Sequence, residues 1–161
     1  MSGRATPATA VLDGAGVDYT LHSYDHDRRA SAYGEEAAAA LGVDPSRIFK
    51  TLVASVDGRL TVGVVPVSAA LDLKALAAAV GGKRATLADP GEAAKVTGYV
   101  LGGISPLGQR RALPTVVDSS AEDHATVFVS AGRRGLQVEL APADLVRLSA
   151  ADVVALCALR A

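Results

Sequence analysis

Two β-rich runs joined by a two-residue turn constrain the fold more than any other feature of this sequence. The runs are Thr51–Val56 and Arg59–Val67, and the turn between them is Asp57-Gly58. Asp-Gly between β-forming residues is typical of a tight β-hairpin, because both turn positions tolerate positive φ. A hairpin of this kind argues against a strict β-α alternation. We therefore expect an α+β fold.

The rest of the chain mixes short helical and β-rich segments in no regular order. We predict strands at 19–25, 115–118, 126–130 and 136–140, and helices beginning near residues 7, 34, 72, 90, 142 and 152. Glycine or proline separates most of these segments. We expect one domain over residues 1–161, with a mixed, barrel-like β-sheet and flanking helices.

Composition sets further limits. Half of the residues are hydrophobic but only 4% are aromatic, so small side chains must fill the core. The net charge of -1 gives no general attraction to nucleic acid. Three basic doublets, Lys83-Arg84, Arg110-Arg111 and Arg133-Arg134, are either solvated surface or a rim that contacts phosphates. Residues 1–10 lack an apolar targeting segment, and we expect a cytoplasmic protein.

The stretch Thr97–Gly108 is unusual because it combines four glycines and one proline with apolar residues. Loops with so much turn chemistry are usually polar, and an apolar one tends to be buried. Glycine permits positive φ and close approach of another group, while proline fixes one φ. Two interpretations remain open: a rigid wall whose amide groups face a ligand, or a tight structural connection between strands.

Lys50 is the most unusual single side chain. It shares the parity of Leu52, Ala54 and Val56, which should face the core. A lysine at the end of such a row lies at the mouth of a sheet or barrel, where its ammonium group can meet a phosphate or a developing oxyanion. The alternative is a lysine whose stem passes Phe49 and whose charge reaches water.

Other reactive residues give no strong pattern. The single cysteine, Cys157, is expected to fill the core, and the three histidines lack metal-ligand spacing. Ser105 or Ser130 could be combined with His26 on paper, but the G-x-S-x-G form of a nucleophile elbow is absent. Tyr24 and Tyr33 flank one loop and could stack on a base, although strand-edge tyrosines are as often packing residues.

In combination, these segments resemble the YbaK-type Cys-tRNA(Pro) deacylases, which are related to the editing domain of bacterial prolyl-tRNA synthetases. The resemblance covers nearly the whole chain. It is carried by Y-D-H-D at 24–27, Y-G-E-E at 33–36, I-F-K-T-L at 48–52, L-D-L-K at 71–74, A-D-P at 88–90, T-G-Y-V-L-G-G-I-S-P-L-G-Q at 97–109, L-P-T-V-V-D at 113–118 and V-S-A-G-R-R-G-L at 129–136.

The resemblance implies a trans-editing aminoacyl-tRNA deacylase that clears cysteine mischarged onto tRNA(Pro). In the family, the thiol of the substrate is thought to attack its own ester, which yields a thiolactone and would make the enzyme formally a lyase. Such an enzyme needs no metal or cofactor. Its expected partners are aminoacyl-tRNA and prolyl-tRNA synthetase. The alternatives are a deacylase for alanine, serine or threonine esters and a non-catalytic module that binds a tRNA acceptor end or the synthetase.

The resemblance also implies site residues. Lys50 matches the invariant lysine of the family and would hold the tRNA 3′-end or the ester carbonyl. Gly102 and Gly103 would contribute loop amides to catalysis. The expected substrate-binding residues are Tyr24, Tyr33, Thr51, Ile104, Ser105, Pro106 and Ser130.

Overall fold

The computed structural model describes residues 5–26 and 33–158, which form a mixed α+β domain. Thr6, Asp72 and Asp89 cap three of the helices at the positions that the sequence indicates. In chain order the elements are α1 (Pro7–Ala15), β1 (Tyr19–Ser23), α2 (Tyr33–Leu41), β2 (Phe49–Val56), β3 (Arg59–Pro66), α3 (Leu73–Ala79), β4 (Ala85–Leu87), α4 (Pro90–Thr97), β5 (Thr115–Asp118), a 3-10 turn (Ser119–Asp123), β6 (Val127–Arg133), β7 (Leu136–Leu140), α5 (Pro142–Ser149) and β8 (Asp152–Val154).

The predicted hairpin is present. Strands β2 and β3 pair antiparallel from Phe49↔Pro66 to Val56↔Arg59. Asp57 and Gly58 both have positive φ, 51° and 86°, as a two-residue turn of this hand requires. The Asp57 carboxylate also accepts hydrogen bonds from the backbone amides of Lys83 and Arg84, so it ties this end of the hairpin to the segment before β4.

The described strands form two sheets whose backbones meet at one bridge. The larger sheet has the order β4-β2-β3-β5-β8, and the smaller has the order β1-β7-β6. A parallel bridge between Ile48 and Phe128 joins them, and the Phe128 amide donates to the Arg47 carbonyl at 2.9 Å. The described strands do not close into a barrel. The mixed α+β architecture confirms the expected fold class.

Small aliphatic side chains dominate the interior, as the composition predicts. The largest cluster of buried residues lies between the two sheets and includes Leu12 of α1, Val129 of β6 and Val138 of β7. A second cluster packs α3 against the other face of β2, through Ala54 and Leu76. Because both faces of β2 are packed, this strand holds the side chains at its N-terminal end in fixed positions.

The predicted helix at residue 152 is wrong. Asp152–Val154 is a strand that pairs in parallel with β5, through Val116↔Asp152 and Asp118↔Val154. The Asp118 carboxylate accepts a 2.7 Å hydrogen bond from the Leu156 amide and so fixes the chain just after this strand. Cys157 is half-buried in a bridge to Leu71 rather than on a helix.

None of the described helices has the length and apolar character that a membrane span would need.

Candidate active site

A cavity of about 290 Å³ lies between α2, the start of β2 and the loop that follows α4. The lining is mostly apolar, with a few polar groups, as in sites that hold small organic ligands. It consists of Tyr33, Gly34, Glu35, Ile48, Phe49, Lys50, Thr51, Leu52, Val67, Leu101, Gly102, Ile104, Ser130 and Gln137.

The first residues of β2 bring Lys50 and Thr51 to this cavity. Phe49 is 2% exposed and anchors the strand in the largest core cluster, while Lys50 is half-buried and lines the cavity. Lys50 is paired in register with Val65 of β3, so its backbone is fixed by the hairpin. The structure therefore holds a cationic side chain next to an apolar recess, where charge interacts more strongly than in open water.

Thr51 differs from most buried polar groups. Its Oγ1 is inaccessible to solvent and has no hydrogen-bond partner within the described residues. Burying a hydroxyl without a partner costs free energy, so such groups are rare and often face a ligand or water.

Internal hydrogen bonds hold the glycine-rich loop rigid. The Tyr99 hydroxyl donates to the Leu107 carbonyl at 2.6 Å, and burial raises its pKa to about 12, which keeps it protonated. The Leu107 amide donates to the Ser105 Oγ at 3.2 Å, and the Gln109 side chain donates to the Ser105 carbonyl at 3.0 Å. Ser105 is fully buried and serves as a brace within the loop.

Close packing explains two of the loop glycines. A Cβ on Gly103 would lie 2.8 Å from the Arg133 Cα, and one on Gly108 would lie 2.5 Å from the Pro7 carbonyl oxygen. Both distances are too short for any side chain. The Gly103 amide donates to the Val100 carbonyl at 2.9 Å, so it is engaged inside the loop.

The predicted loop residues therefore divide into two groups. Gly102 and Ile104 line the cavity, whereas Gly103, Ser105 and Pro106 do not line it and are buried behind its wall.

Tyr33 forms one edge of the cavity and is packed on several sides. The Arg134 guanidinium lies 4.8 Å from the centre of the Tyr33 ring, and Arg134 Nε donates to the Leu101 carbonyl at 2.7 Å. A Cβ on Gly102 would lie 2.9 Å from the same ring, which explains why this loop position lacks a side chain. The His26 ring lies 5.9 Å away, and its Nδ1 is 2.8 Å from Glu36 Oε1.

Tyr24 is not among the residues that line the cavity. It lies in a neighbouring depression with His26 and the turn at Arg133–Gly135. Burial raises the pKa of its hydroxyl, and the Glu36 charge adds to this, while hydrogen bonding with Gly135 and Gln137 opposes it. It adjoins the site through its hydrogen bond with Gln137 and by packing against the cluster that contains Ile48 and Val67, two residues of the lining.

Gln137 lines the cavity but was not among the predicted site residues. It is 8% exposed, its Oε1 is buried with no hydrogen-bond partner in the described part of the chain, and it pairs across strands with Ser130. The alternation L-Q-V-E-L at 136–140 predicts that Gln137 and Glu139 face away from the largest core cluster, which they do. In the structure, α2 packs over Phe128 on this face of the sheet, and the cavity lies beside it. The sequence does not reveal this cover.

The serines of the site have structural partners. Ser130 Oγ accepts a hydrogen bond from the Gly132 amide, and Ser105 Oγ accepts one from Leu107. His26 contacts Glu36 instead of either serine. Within residues 5–26 and 33–158, no group of three or more His, Cys, Asp or Glu side chains could hold a metal ion.

The basic doublets lie in different places. Arg133-Arg134 adjoins the cavity through Tyr33 and the loop. Lys83-Arg84 is bound to Asp57, at the opposite end of β2 from Lys50 and roughly 20 Å away at about 3.3 Å per residue. The three doublets therefore do not form one rim around the cavity.

Three comparisons with known proteins agree. The aminoacyl-tRNA editing domain family matches residues 28–148. Among curated proteins, the chain is 41% identical over 118 residues to the "Putative Cys-tRNA(Pro)/Cys-tRNA(Cys) deacylase EbsC" of Enterococcus faecalis, an overlap of 71% of each chain. It is 29% identical over 150 residues to the "Multifunctional Ser/Thr-tRNA deacylase ProXp-y" of Escherichia coli, with 90% of this chain and 87% of that protein covered.

Among solved structures, one described as "a putative trans-editing enzyme for prolyl tRNA synthetase" has a TM-score of 0.86 to this chain. It is 26% identical and 99% of each chain is covered.

Proposed function

The chain belongs to the aminoacyl-tRNA editing domain family, and we propose that it is a trans-editing aminoacyl-tRNA deacylase that clears cysteine from tRNA(Pro). Deacylase activity follows from the family and from the named relatives. The choice of cysteine and of tRNA(Pro) is our proposal, as is the treatment of residues 1–161 as one editing domain. It is supported by the 41% identity to EbsC.

The observation that carries the proposal is a half-buried lysine beside a small, mostly apolar cavity. The esterified amino acid would occupy the cavity, with its carbonyl near Lys50 and the tRNA 3′-end at the edge formed by Tyr33 and Gly102. In this pose the ammonium group stabilises negative charge that develops on the carbonyl oxygen. Ile104 and Gly102 limit the size of the side chain that fits.

The proposed nucleophile is the substrate's own thiol, as the family resemblance implies. Its sulfur forms a bond to the ester carbonyl carbon, and the bond from that carbon to the tRNA 3′-oxygen breaks. The thiol proton ends on the leaving 3′-oxygen. The products are a thiolactone and tRNA with a free 3′-hydroxyl, and no protein side chain becomes acylated.

Of the expected residues, Lys50, Tyr33, Thr51, Ile104 and Ser130 are assigned direct roles in this proposal. Gly102 is assigned to the cavity wall. Gly103, Ser105 and Pro106 are assigned to the shape of the loop, and Tyr24 to the support of Gln137.

We also propose that prolyl-tRNA synthetase presents the tRNA to this protein in the cytoplasm. The net charge of -1 provides little general affinity for RNA, so a second contact would raise the local concentration of substrate. The structural match to a trans-editing enzyme for prolyl tRNA synthetase supports this partner.

The decisive experiment is a deacylation panel. Cysteine, alanine, serine and threonine esters of tRNA(Pro) would be incubated with the protein, with and without prolyl-tRNA synthetase. We expect rapid loss of the cysteine ester with formation of thiolactone, and survival of the alanine and serine esters. If the cysteine ester persists as long as it does without enzyme, the proposal is wrong.

The panel also tests the alternatives. Rapid loss of the serine or threonine ester would indicate a Ser/Thr-tRNA deacylase, which is the activity named for the Escherichia coli relative. Binding of charged tRNA without loss of any ester would indicate a non-catalytic module.

A further inference from the structure

Among the residues that the structure describes, two buried polar atoms lack hydrogen-bond partners, and both belong to residues that line the same cavity. They are Thr51 Oγ1 and Gln137 Oε1, on strands of different sheets. One isolated orphan can be an accident of packing. Two on residues that line one recess point to a ligand that supplies the missing hydrogen bonds.

The chemistry of these atoms defines the missing group. An amide oxygen only accepts hydrogen bonds, whereas a threonine hydroxyl can donate or accept. Ser130 Oγ, across from Gln137, already accepts from Gly132 and retains a proton to donate. A ligand group that both donates and accepts satisfies this set, and a hydroxyl or thiol does so.

The charges in the cavity favour a neutral group over an ammonium group. Lys50 lines the cavity with a positive charge, and the carboxylate in the lining, Glu35, is on an exposed residue. A second cation next to Gln137 would meet no buried carboxylate among the described residues that line the cavity, and its desolvation would be costly.

We infer that Gln137 and Thr51 form a polar recognition pair that selects amino acids carrying a hydroxyl or thiol on the β-carbon. This inference rests on the proposed function, because it assumes that the cavity holds the esterified amino acid. Gln137 Oε1 accepts a hydrogen bond from the side-chain hydroxyl or thiol and so orients its oxygen or sulfur, and Thr51 completes the contact. An apolar side chain of equal size leaves both atoms unpaired and is rejected, as in other sites built to bind a hydroxyl.

Binding of stable substrate analogues tests this selection without turnover. Adenosine with a 3′-amide in place of the ester would carry serine, cysteine or 2-aminobutyrate, which differ at one terminal group: hydroxyl, thiol or methyl. We expect the seryl analogue to bind at least tenfold more tightly than the 2-aminobutyryl analogue. Leaving a buried polar group unpaired weakens binding by about that factor. The cysteinyl analogue should fall between them, because a thiol is a weak donor.

Variants separate recognition from general damage. Gln137→Met should reduce the seryl to 2-aminobutyryl ratio to near one while binding of the 2-aminobutyryl analogue is kept or improved. Thr51→Val should reduce the ratio in part. Thr61→Val is the matched control, because Thr61 is a buried hydroxyl on the neighbouring strand that does not line the cavity and donates to the Arg59 carbonyl. It should leave the ratio unchanged.

The outcomes distinguish this inference from the proposed function. A ratio near one in the unmodified protein, or a ratio that neither Gln137→Met nor Thr51→Val changes, overturns the recognition pair. Failure of all three analogues to bind contradicts the proposed use of the cavity itself. Turnover of Cys-tRNA(Pro), measured separately, decides the proposed function regardless of this ratio.

Discussion

The Lys50 side chain lines the cavity wall at the second residue of a strand whose first residue is buried in the core. Its parity and its place before a core-facing row were visible in the sequence. Its function as a charge next to the ester is a prediction.

Replacement of Lys50 tests that function. We expect Lys50→Ala to lower the deacylation rate of Cys-tRNA(Pro) by roughly 100-fold, which is typical for loss of one group that stabilises an oxyanion. Lys50→Arg should retain partial activity, because it keeps the charge but changes its shape and reach. Thermal unfolding should change little in both variants. Unaltered activity of Lys50→Ala would remove this residue from the site.

Ser105 and Gln137 show what can and cannot be predicted for single residues. The apolar, glycine-rich context of Ser105 predicts a tightly built loop, and the structure shows the serine bracing that loop from inside. Its distance from the cavity lining depends on which side of the loop faces α2, and that is a property of tertiary packing. For the same reason, the sequence predicts only that Gln137 faces away from the core, and its place in the cavity lining could not be predicted.

At the scale of elements, local signals predicted most of the secondary structure. The Asp-Gly turn defined the hairpin, and the helix starts predicted near residues 7, 72 and 90 agree with the observed caps Thr6, Asp72 and Asp89. Strand β8 was not predicted, because it has only three residues and its partner strand β5 is distant in the sequence. The apolar run that follows residue 152 is compatible with either a helix or a strand, and non-local pairing decided between them.

Asp118 couples this strand to the rest of the larger sheet, and its ionisation should be visible in stability. Burial opposes the charge, but hydrogen bonds from the Ser120 hydroxyl and from the Leu156 and Ser120 amides outweigh it and lower the pKa of the carboxyl. A lowered pKa in the folded state means that the carboxylate stabilises the fold above its unfolded pKa, about 3.9. This stabilisation is lost as the pH falls through the lower, folded-state value.

We therefore expect Asp118→Asn to lower the free energy of unfolding at pH 7 by about 1–3 kcal/mol. Urea unfolding of both proteins between pH 7 and pH 2.5 would check this. The difference between them should shrink as the pH falls from the unfolded pKa towards the lower, folded-state pKa, where the carboxyl of the folded unmodified protein becomes protonated. A difference that stays constant over this range would show that the charge of Asp118 contributes nothing.

At the scale of the whole molecule, the two sheets and α2 together enclose the cavity. Its walls come from residues between 33 and 137, so no single segment of the sequence contains the site. The mixed α+β class was predictable from the order of elements, and the family from the quoted motifs. The separation into two sheets that meet at Ile48 and Phe128 was not, because it depends on one long-range bridge.

The distribution of basic residues gives a prediction for tRNA binding. Arg133 is exposed beside the cavity, whereas Lys83 is exposed at the far end of the hairpin. We expect Arg133→Gln to weaken tRNA binding several-fold and to reduce the salt dependence by about one phosphate contact. Lys83→Gln, which removes the same charge, should leave both quantities unchanged. Equal effects of the two substitutions would show that only net charge matters.

Strand β8 has a second consequence, which concerns solubility. It covers one edge of β5, a strand whose four residues Thr115–Asp118 are all buried. Without that cover, β5 would present unpaired backbone groups and valine side chains to other molecules, and such edges promote aggregation. The hydrogen bond from Leu156 to Asp118 holds the chain in place just beyond this cover. Loosening of this short C-terminal strand would thus make the protein prone to self-association before the rest of the fold is lost.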